Sequence, residues 1–275
     1  MVTMKYYWYV CVFLLGAIIG SFLNVVIYRL HTGKSANGRS HCLSCGGVLR
    51  WFELVPLISY LALRGSCRRC ASHIPLRYFL VELLTAGMFV FLFHLFRYDL
   101  ILFGLNAVIA SILIVIAVYD LRHMVIPDET VVALSGVALV TLLYLSQFSI
   151  APLSFLGAHI LAGLAGAAFF AFFWIVSKGR WMGLGDAKLA LPLCVLLGPW
   201  GTLSAIVFAF WIGAGISLAL IIVQAVLRAG KTHLIFLPTT LRMKSEVPFA
   251  PFLILGFLSV HLFHVNIITL STLTF

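Results

Sequence analysis

The feature that most limits this chain is a series of long apolar runs, at residues 6–28, 76–96, 100–119, 129–149, 152–177, 186–199, 201–227 and 248–265. About 20 apolar residues carry a helix across the hydrocarbon core. Lipid satisfies neither a loose loop nor an open strand edge. The runs therefore predict an all-α polytopic membrane protein of about eight transmembrane helices. A mean hydropathy of +1.14 leaves no room for a large soluble domain. The sixth run is short and holds Pro192, and Gly198-Pro199-Trp200-Gly201 reads as a turn joining it to the seventh. The first run is too long for a signal peptide and no small-residue cleavage pattern follows it, so it is expected to be a retained helix. Its later half, Gly20-Ser21-Phe22-Leu23-Asn24, carries small residues that suit close helix contact. Asn24 is expected to bond to a neighbouring helix.

The net charge of +10 is organised by this topology. With eight crossings, one side holds the loop from His31 to Pro75 and the segments near 120–128, 178–188 and 228–247. Of the 18 Lys and Arg, 16 fall there or on its flanks, with Lys5 and Arg97 the exceptions. That side is expected to be cytoplasmic, with both termini outside. Removing the sixth crossing would put Arg228, Lys231, Arg242 and Lys244 on the other side. No nucleic-acid partner is needed to explain the basic excess; the lipid bilayer is.

The loop carries Cys42-Leu43-Ser44-Cys45 and Cys67-Arg68-Arg69-Cys70, two CxxC units separated by 21 residues. This is the spacing of a four-thiolate zinc site. The alternative, a pair of disulfides, is disfavoured in a reducing compartment. A metal held by Cys42, Cys45, Cys67 and Cys70 would be structural. Cys11 and Cys194 lie in spans and read as small buried apolar residues. Between the knuckles, Trp51 to Leu63 is apolar but too short to cross, and should lie in the interface or fold against the bundle.

Only eight Asp and Glu occur in 275 residues. Glu53 and Glu246 fall in cytoplasmic segments, Asp99 in an external turn, and Glu82 within the second span, where an interior or paired position is expected. Asp120 closes the third span and Asp186, behind Gly183-Leu184-Gly185, opens the sixth on the same side. Two carboxylates at one depth can hold a water between them, one acting as base and the other as acid. Asp128, after Pro127, reads as the N-cap of the following helix. Asp186 taken alone could also be a cap, whereas Asp120 at a helix C-terminus opposes the macrodipole.

Taken in order, these pieces resemble the type IV prepilin peptidases, membrane aspartic proteases of the GxGD class. The resemblance rests on Gly20 to Leu30, the two CxxC knuckles, Arg64-Gly65-Ser66-Cys67, Arg77-Tyr78 with Val81-Glu82-Leu83-Leu84-Thr85, Asp120 with Ile126-Pro127-Asp128, Gly183-Leu184-Gly185-Asp186-Ala187-Lys188, and Pro248-Phe249-Ala250-Pro251-Phe252. Leu43, Ala71 and His31 depart from the usual pattern, Ala71 standing where a glycine is common. The resemblance implies that Asp120 and Asp186 are the catalytic pair and that Asp128 is not one of it. It implies a division into a first transmembrane helix (1–30), a cytoplasmic zinc-binding loop domain (31–75) and a transmembrane aspartic protease bundle (76–275). It also implies a location in the bacterial inner membrane.

The activity implied is removal of a short basic leader from prepilins or type II secretion pseudopilins at the cytoplasmic face. Methylation of the new N-terminal amine with S-adenosylmethionine commonly accompanies it. No motif marks a methyl-donor site, and the first loop is its nearest candidate neighbourhood. A presenilin-like protease would share the aspartate motifs, with Pro248 to Phe252 as a third, but does not predict the zinc knuckles. An ion-coupled transporter using Glu82, Asp120 and Asp186 as a relay would predict a polar path and repeated halves; neither is evident.

Overall fold

A computed structural model describes residues 2–30, 38, 40–229 and 248–263. Lys34, Arg39, Lys231, Arg242 and Lys244, counted in the charge argument above, lie outside the described residues, as do His31, Glu246 and the end of the last apolar run. The described chain is helical: α1 (Val2–Arg29), a 3-10 turn (Trp51–Leu54), α2 (Ile58–Ala62), α3 (Arg77–Phe96), α4 (Leu100–His123), α5 (Asp128–Ser146), α6 (Pro152–Ser177), α7 (Leu184–Ala229) and α8 (Ala250–Phe263). Six of these contain apolar stretches long enough to cross a membrane. The chain is a polytopic membrane protein. The sixth and seventh expected spans share α7, which breaks at Gly198, and α8 has 14 residues. The helices fall into two compact units, Met1–Val118 and Tyr119–Phe275.

In the first unit α1 lies against α3 along a strip of small residues. A Cβ on Gly16 would come within 2.8 Å of Ala86 Cα, and one on Gly20 within 2.8 Å of Glu82 Cα. Where lipid replaces water on the outside, helices associate through such close packing rather than through hydrophobic exclusion. The expectation for Asn24 holds, since its amide donates to the Tyr78 carbonyl of α3 at 3.0 Å. Leu23, Ile27 and Val81 then close a core with Ile114 and Val115 of α4. Asp99 starts α4 by accepting the Leu102 N–H at 2.9 Å.

The second unit is built on α7. Its break at Gly198 has φ 69° and ψ −175°. A side chain there would also strike the His159 ring, 2.8 Å from the Cβ position. Pro199 has no N–H to give the Val195 carbonyl, and His159 Nδ1 of α6 bonds that oxygen at 2.8 Å. Gly198 is not helical, and the Cys194 carbonyl accepts instead from Thr202 Oγ1 at 3.3 Å. Both of these backbone oxygens are thus satisfied inside the unit, as a membrane interior demands. Cys194 is buried, as expected.

Candidate active site and thiolate cluster

The two sequence-expected aspartates come together in the second unit. Asp120 sits in the last turn of α4, which ends with the Met124 N–H on the Asp120 carbonyl at 2.8 Å. Met124 then takes a left-handed φ of 53° and the chain reaches α5 through an extended Pro127. Asp186 lies in the first turn of α7, where its N–H meets the Gly183 carbonyl at 3.3 Å. Both aspartates are buried, at 5% and 8% exposure, and close enough for Asp186 to feel the charge of Asp120. In a chain with eight acids, two buried carboxylates within electrostatic reach of each other make this the candidate active site.

Backbone groups hold the pair. The Gly183 N–H bonds the Asp186 carboxylate, and the Ala250 N–H bonds that of Asp120. Ala250 opens α8, whose first-turn donors have no partner within the helix. Pro248 to Phe252 therefore contributes a backbone donor to the site, a role its side chains do not announce. Asp120 Oδ2 is buried and makes no hydrogen bond among the described residues. A buried carboxylate oxygen left unpaired is costly, and here it is available to a reacting group.

Gly185 and Ile126 set the spacing. A Cβ on Gly185 would approach the Ile126 side chain to 3.2 Å. Neither Gly183 nor Gly185 has a positive φ, so the value of Gly185 is close approach rather than conformational freedom. The apposed segments are also tied at their surface. Lys188 Nζ donates to Asp128 Oδ1 at 2.8 Å and Oδ2 at 3.0 Å. This corrects the expectation for Asp128: Pro127 is the N-cap of α5, and the Asp128 side chain makes no capping bond. The carboxylate turns instead to the lysine two positions beyond Asp186. A pair so far apart in sequence has no local signature.

The four loop cysteines gather in the first unit. Their sulfurs all lie within 4.8 Å of one another, and Cys42 and Cys70 are 3.9 Å apart. Zn–S bonds of about 2.3 Å place tetrahedral sulfurs roughly 3.8 Å apart, so the cluster fits a four-thiolate ion. The two knuckles repeat one design. In the first, Cys42 N–H bonds Gly47 O and Gly46 N–H bonds Cys42 O; in the second, Cys67 N–H bonds Ser72 O and Ala71 N–H bonds Cys67 O. An isolated β-bridge flanks each, His41 with Val48 and Ser66 with His73.

Backbone N–H groups of Cys45 and Ser44 pull the Cys42 thiol down to about 6. Ser72 lowers that of Cys70. At Cys45 the Gly47 N–H favours thiolate, but sharing protons with Cys42 and Cys70 outweighs it and pushes that thiol up to about 11. Two sulfurs are thus poised as ligands.

Beside the cluster, still within the first unit, lies a cavity of about 560 Å³ reaching from the knuckles to α1 and α3. Its wall includes Glu82, which accepts the Leu57 N–H at 2.8 Å. That bond fastens the short segment of the 3-10 turn and α2 against the bundle, one of the two placements expected for it.

Comparison with known proteins agrees with this geometry. Residues 14–96 match the model of the bacterial peptidase A24 N-terminal domain, and residues 107–218 that of the type IV leader peptidase family. A prepilin leader peptidase/N-methyltransferase of Bacillus subtilis is 30% identical over 94% of this chain and 95% of its own length. The protein of that name from Pseudomonas aeruginosa is 31% identical over 70% and 72%. One from Myxococcus xanthus is 36% identical over 80% of this chain, and the match spans 65% of that relative's length. No solved structure matches the chain. With both family models matched and a relative aligned over 94% of this chain and 95% of its own length, the chain belongs to the type IV leader peptidase family.

Proposed function

We propose that this protein is a membrane aspartic endopeptidase that removes the basic leader of type IV prepilins or type II secretion pseudopilins and methylates the exposed N-terminal amine. The observation that carries the peptidase is the buried pair Asp120 and Asp186, with Asp120 Oδ2 free of partners among the described residues. Two carboxylates in one water-poor site share a proton and titrate as a unit. The ionised member takes a proton from water as it attacks the scissile carbonyl. The protonated member hydrogen-bonds the carbonyl oxygen and then protonates the leaving amine. The Ala250 and Gly183 N–H groups keep the carboxylates oriented through both steps.

Zinc is the ion that four such thiolates favour; with every position filled by sulfur it would brace the loop and leave the hydrolysis to the aspartates. S-adenosylmethionine would supply an activated methyl group for the second reaction. The charge count favours a cytoplasmic location for both sites, in the bacterial inner membrane, the side on which a basic leader is retained. The test is incubation of the purified chain with a prepilin, followed by N-terminal mass analysis with and without S-adenosylmethionine. Leader loss in both samples and a 14-Da gain only with the methyl donor are the expected results. An intact leader under every condition rejects the peptidase.

A further inference from the structure

We infer that Lys188 and Asp128 are positioning residues for the aspartate pair: their ion pair locks the start of α7, and with it Asp186, against the link that follows Asp120. This rests on the peptidase half of the proposed function.

Within the second unit the two segments meet at two points. Ile126 packs against Gly185, where a Cβ would come within 3.2 Å. Two residues further along the link and three further along α7, Lys188 Nζ donates to both Asp128 oxygens, at 2.8 and 3.0 Å. Asp128 stands on a well-formed helix start, because the Pro127 carbonyl accepts the Thr130 and Val131 N–H groups and Thr130 Oγ1. On the other helix, Ala187, Leu189 and Ala190 beside Lys188 are buried.

Successive residues of a helix are about 100° apart around its axis, so Lys188 and Asp186 leave α7 on nearly opposite sides. Holding Lys188 on one side fixes the rotation at which Asp186 is presented on the other. A single contact at Gly185 would let α7 pivot about it; the second contact removes that freedom. Neither side chain serves the helix that carries it. Asp128 makes no capping bond in α5, and a cation near the N-terminus of α7 gains nothing from its macrodipole. Both side chains are exposed, so the pair adds little to stability. Its worth is geometric, since a small misplacement of a reacting group costs far more in rate.

The experiment measures kcat and KM for prepilin leader removal by the full chain in lipid nanodiscs. Asp128→Asn and Lys188→Met should each lower kcat several-fold with little change in KM. The double variant should lose no more than either single one, and the exchanged pair, Asp128→Lys with Lys188→Asp, should regain most of the loss. At saturating substrate, wild-type kcat should fall as salt rises from about 0.1 to 1 M, which shortens the screening length from roughly 10 to 3 Å; that of the double variant should stay flat. The wild-type titration needs no substitution, so it decides the matter even if a variant folds poorly. Unchanged kcat in both single variants, additive losses in the double variant, or a wild-type kcat indifferent to salt overturns the inference and leaves the peptidase reading standing. A loss confined to KM overturns it too, making Asp128 a substrate contact. No leader removal by wild type removes the peptidase reading and the inference together.

Discussion

The thiolate cluster and the aspartate pair are built in opposite ways. The cluster takes its four ligands from residues 42 to 70, two at a time, from a knuckle used twice. Each knuckle closes through its own backbone bonds, and little beyond the loop is needed to bring the sulfurs together. The aspartate pair takes single residues 66 positions apart and holds them with donors from Gly183 and from α8. Local design tolerates local variation; a site assembled from helix ends depends on every contact that fixes how those ends meet. The cluster should therefore fail by losing its ion, and the aspartate site by small misplacements.

The largest effect that can test this contrast is at the pair itself. Asp120→Asn or Asp186→Asn should reduce leader cleavage by about 10³-fold or more, the range of lost general acid–base catalysis, while the protein stays folded in the membrane. Normal turnover by either variant, in a mass assay of the pilin N-terminus, would remove the dyad. Next is the cluster: Cys42→Ser with Cys67→Ser takes one ligand from each knuckle and should abolish stoichiometric zinc, with a lower melting temperature of the loop. Elemental analysis finding one zinc per chain in that variant counts against the assignment.

A smaller effect is expected where the two helix ends meet. Gly185→Ala places a methyl 3.2 Å from Ile126. Overpacking of that kind costs roughly 1–3 kcal/mol or moves the backbone, so kcat should fall, and Ile126→Ala in the same chain should restore part of it. An unchanged kcat in the single variant would show that the spacing is unimportant. Lys188→Met removes the ion pair to Asp128, whose side chains are 43% and 68% exposed, so stability should change by less than about 1 kcal/mol. If the pair positions Asp186, activity should still drop several-fold, and exchanging the two residues should recover it. Equal losses in the exchanged and single variants would argue against a positioning role.

The smallest effect returns to the cluster and compares its halves. Gly46 has φ 67° in the first knuckle, and Ala71 has φ 55° at the equivalent place in the second. A left-handed alanine costs about 1–2 kcal/mol, partly offset by the greater chain entropy of glycine. Ala71→Gly should therefore stabilise the zinc-bound loop by about 0.5–1 kcal/mol in chelator-induced unfolding. Destabilisation would mean that the methyl group has a packing role.

Much of this was legible in the chain because the physics is local or periodic. Apolar length announces helices in lipid, CxxC spacing announces a metal, and a carboxylate in an apolar segment announces chemistry. Ala71 was visible as a departure, and the knuckle geometry explains why glycine is the easier residue there. Asp128 was misread because a residue after proline at a helix start fits an N-cap by every local rule, whereas a lysine 60 positions later takes its carboxylate. The part played by Pro248 to Phe252 was hidden because it acts through a backbone N–H, which every residue but proline has. His159 was equally silent, since its bond to Val195 has meaning only once Pro199 has left that carbonyl open.

A helical membrane protein with a four-thiol loop and two carboxylates near helix ends is readable from the chain alone. Hydrophobic length, ligand spacing and charge are properties of stretches of chain, so they can be read without coordinates. The packed helices add that Asp120 and Asp186 are buried within electrostatic reach of each other, that Gly185 lies against Ile126, that Lys188 pairs with Asp128, and that Glu53 and Glu82 line one cavity. Those are relations between distant residues, and the packing of helices against one another is what creates them.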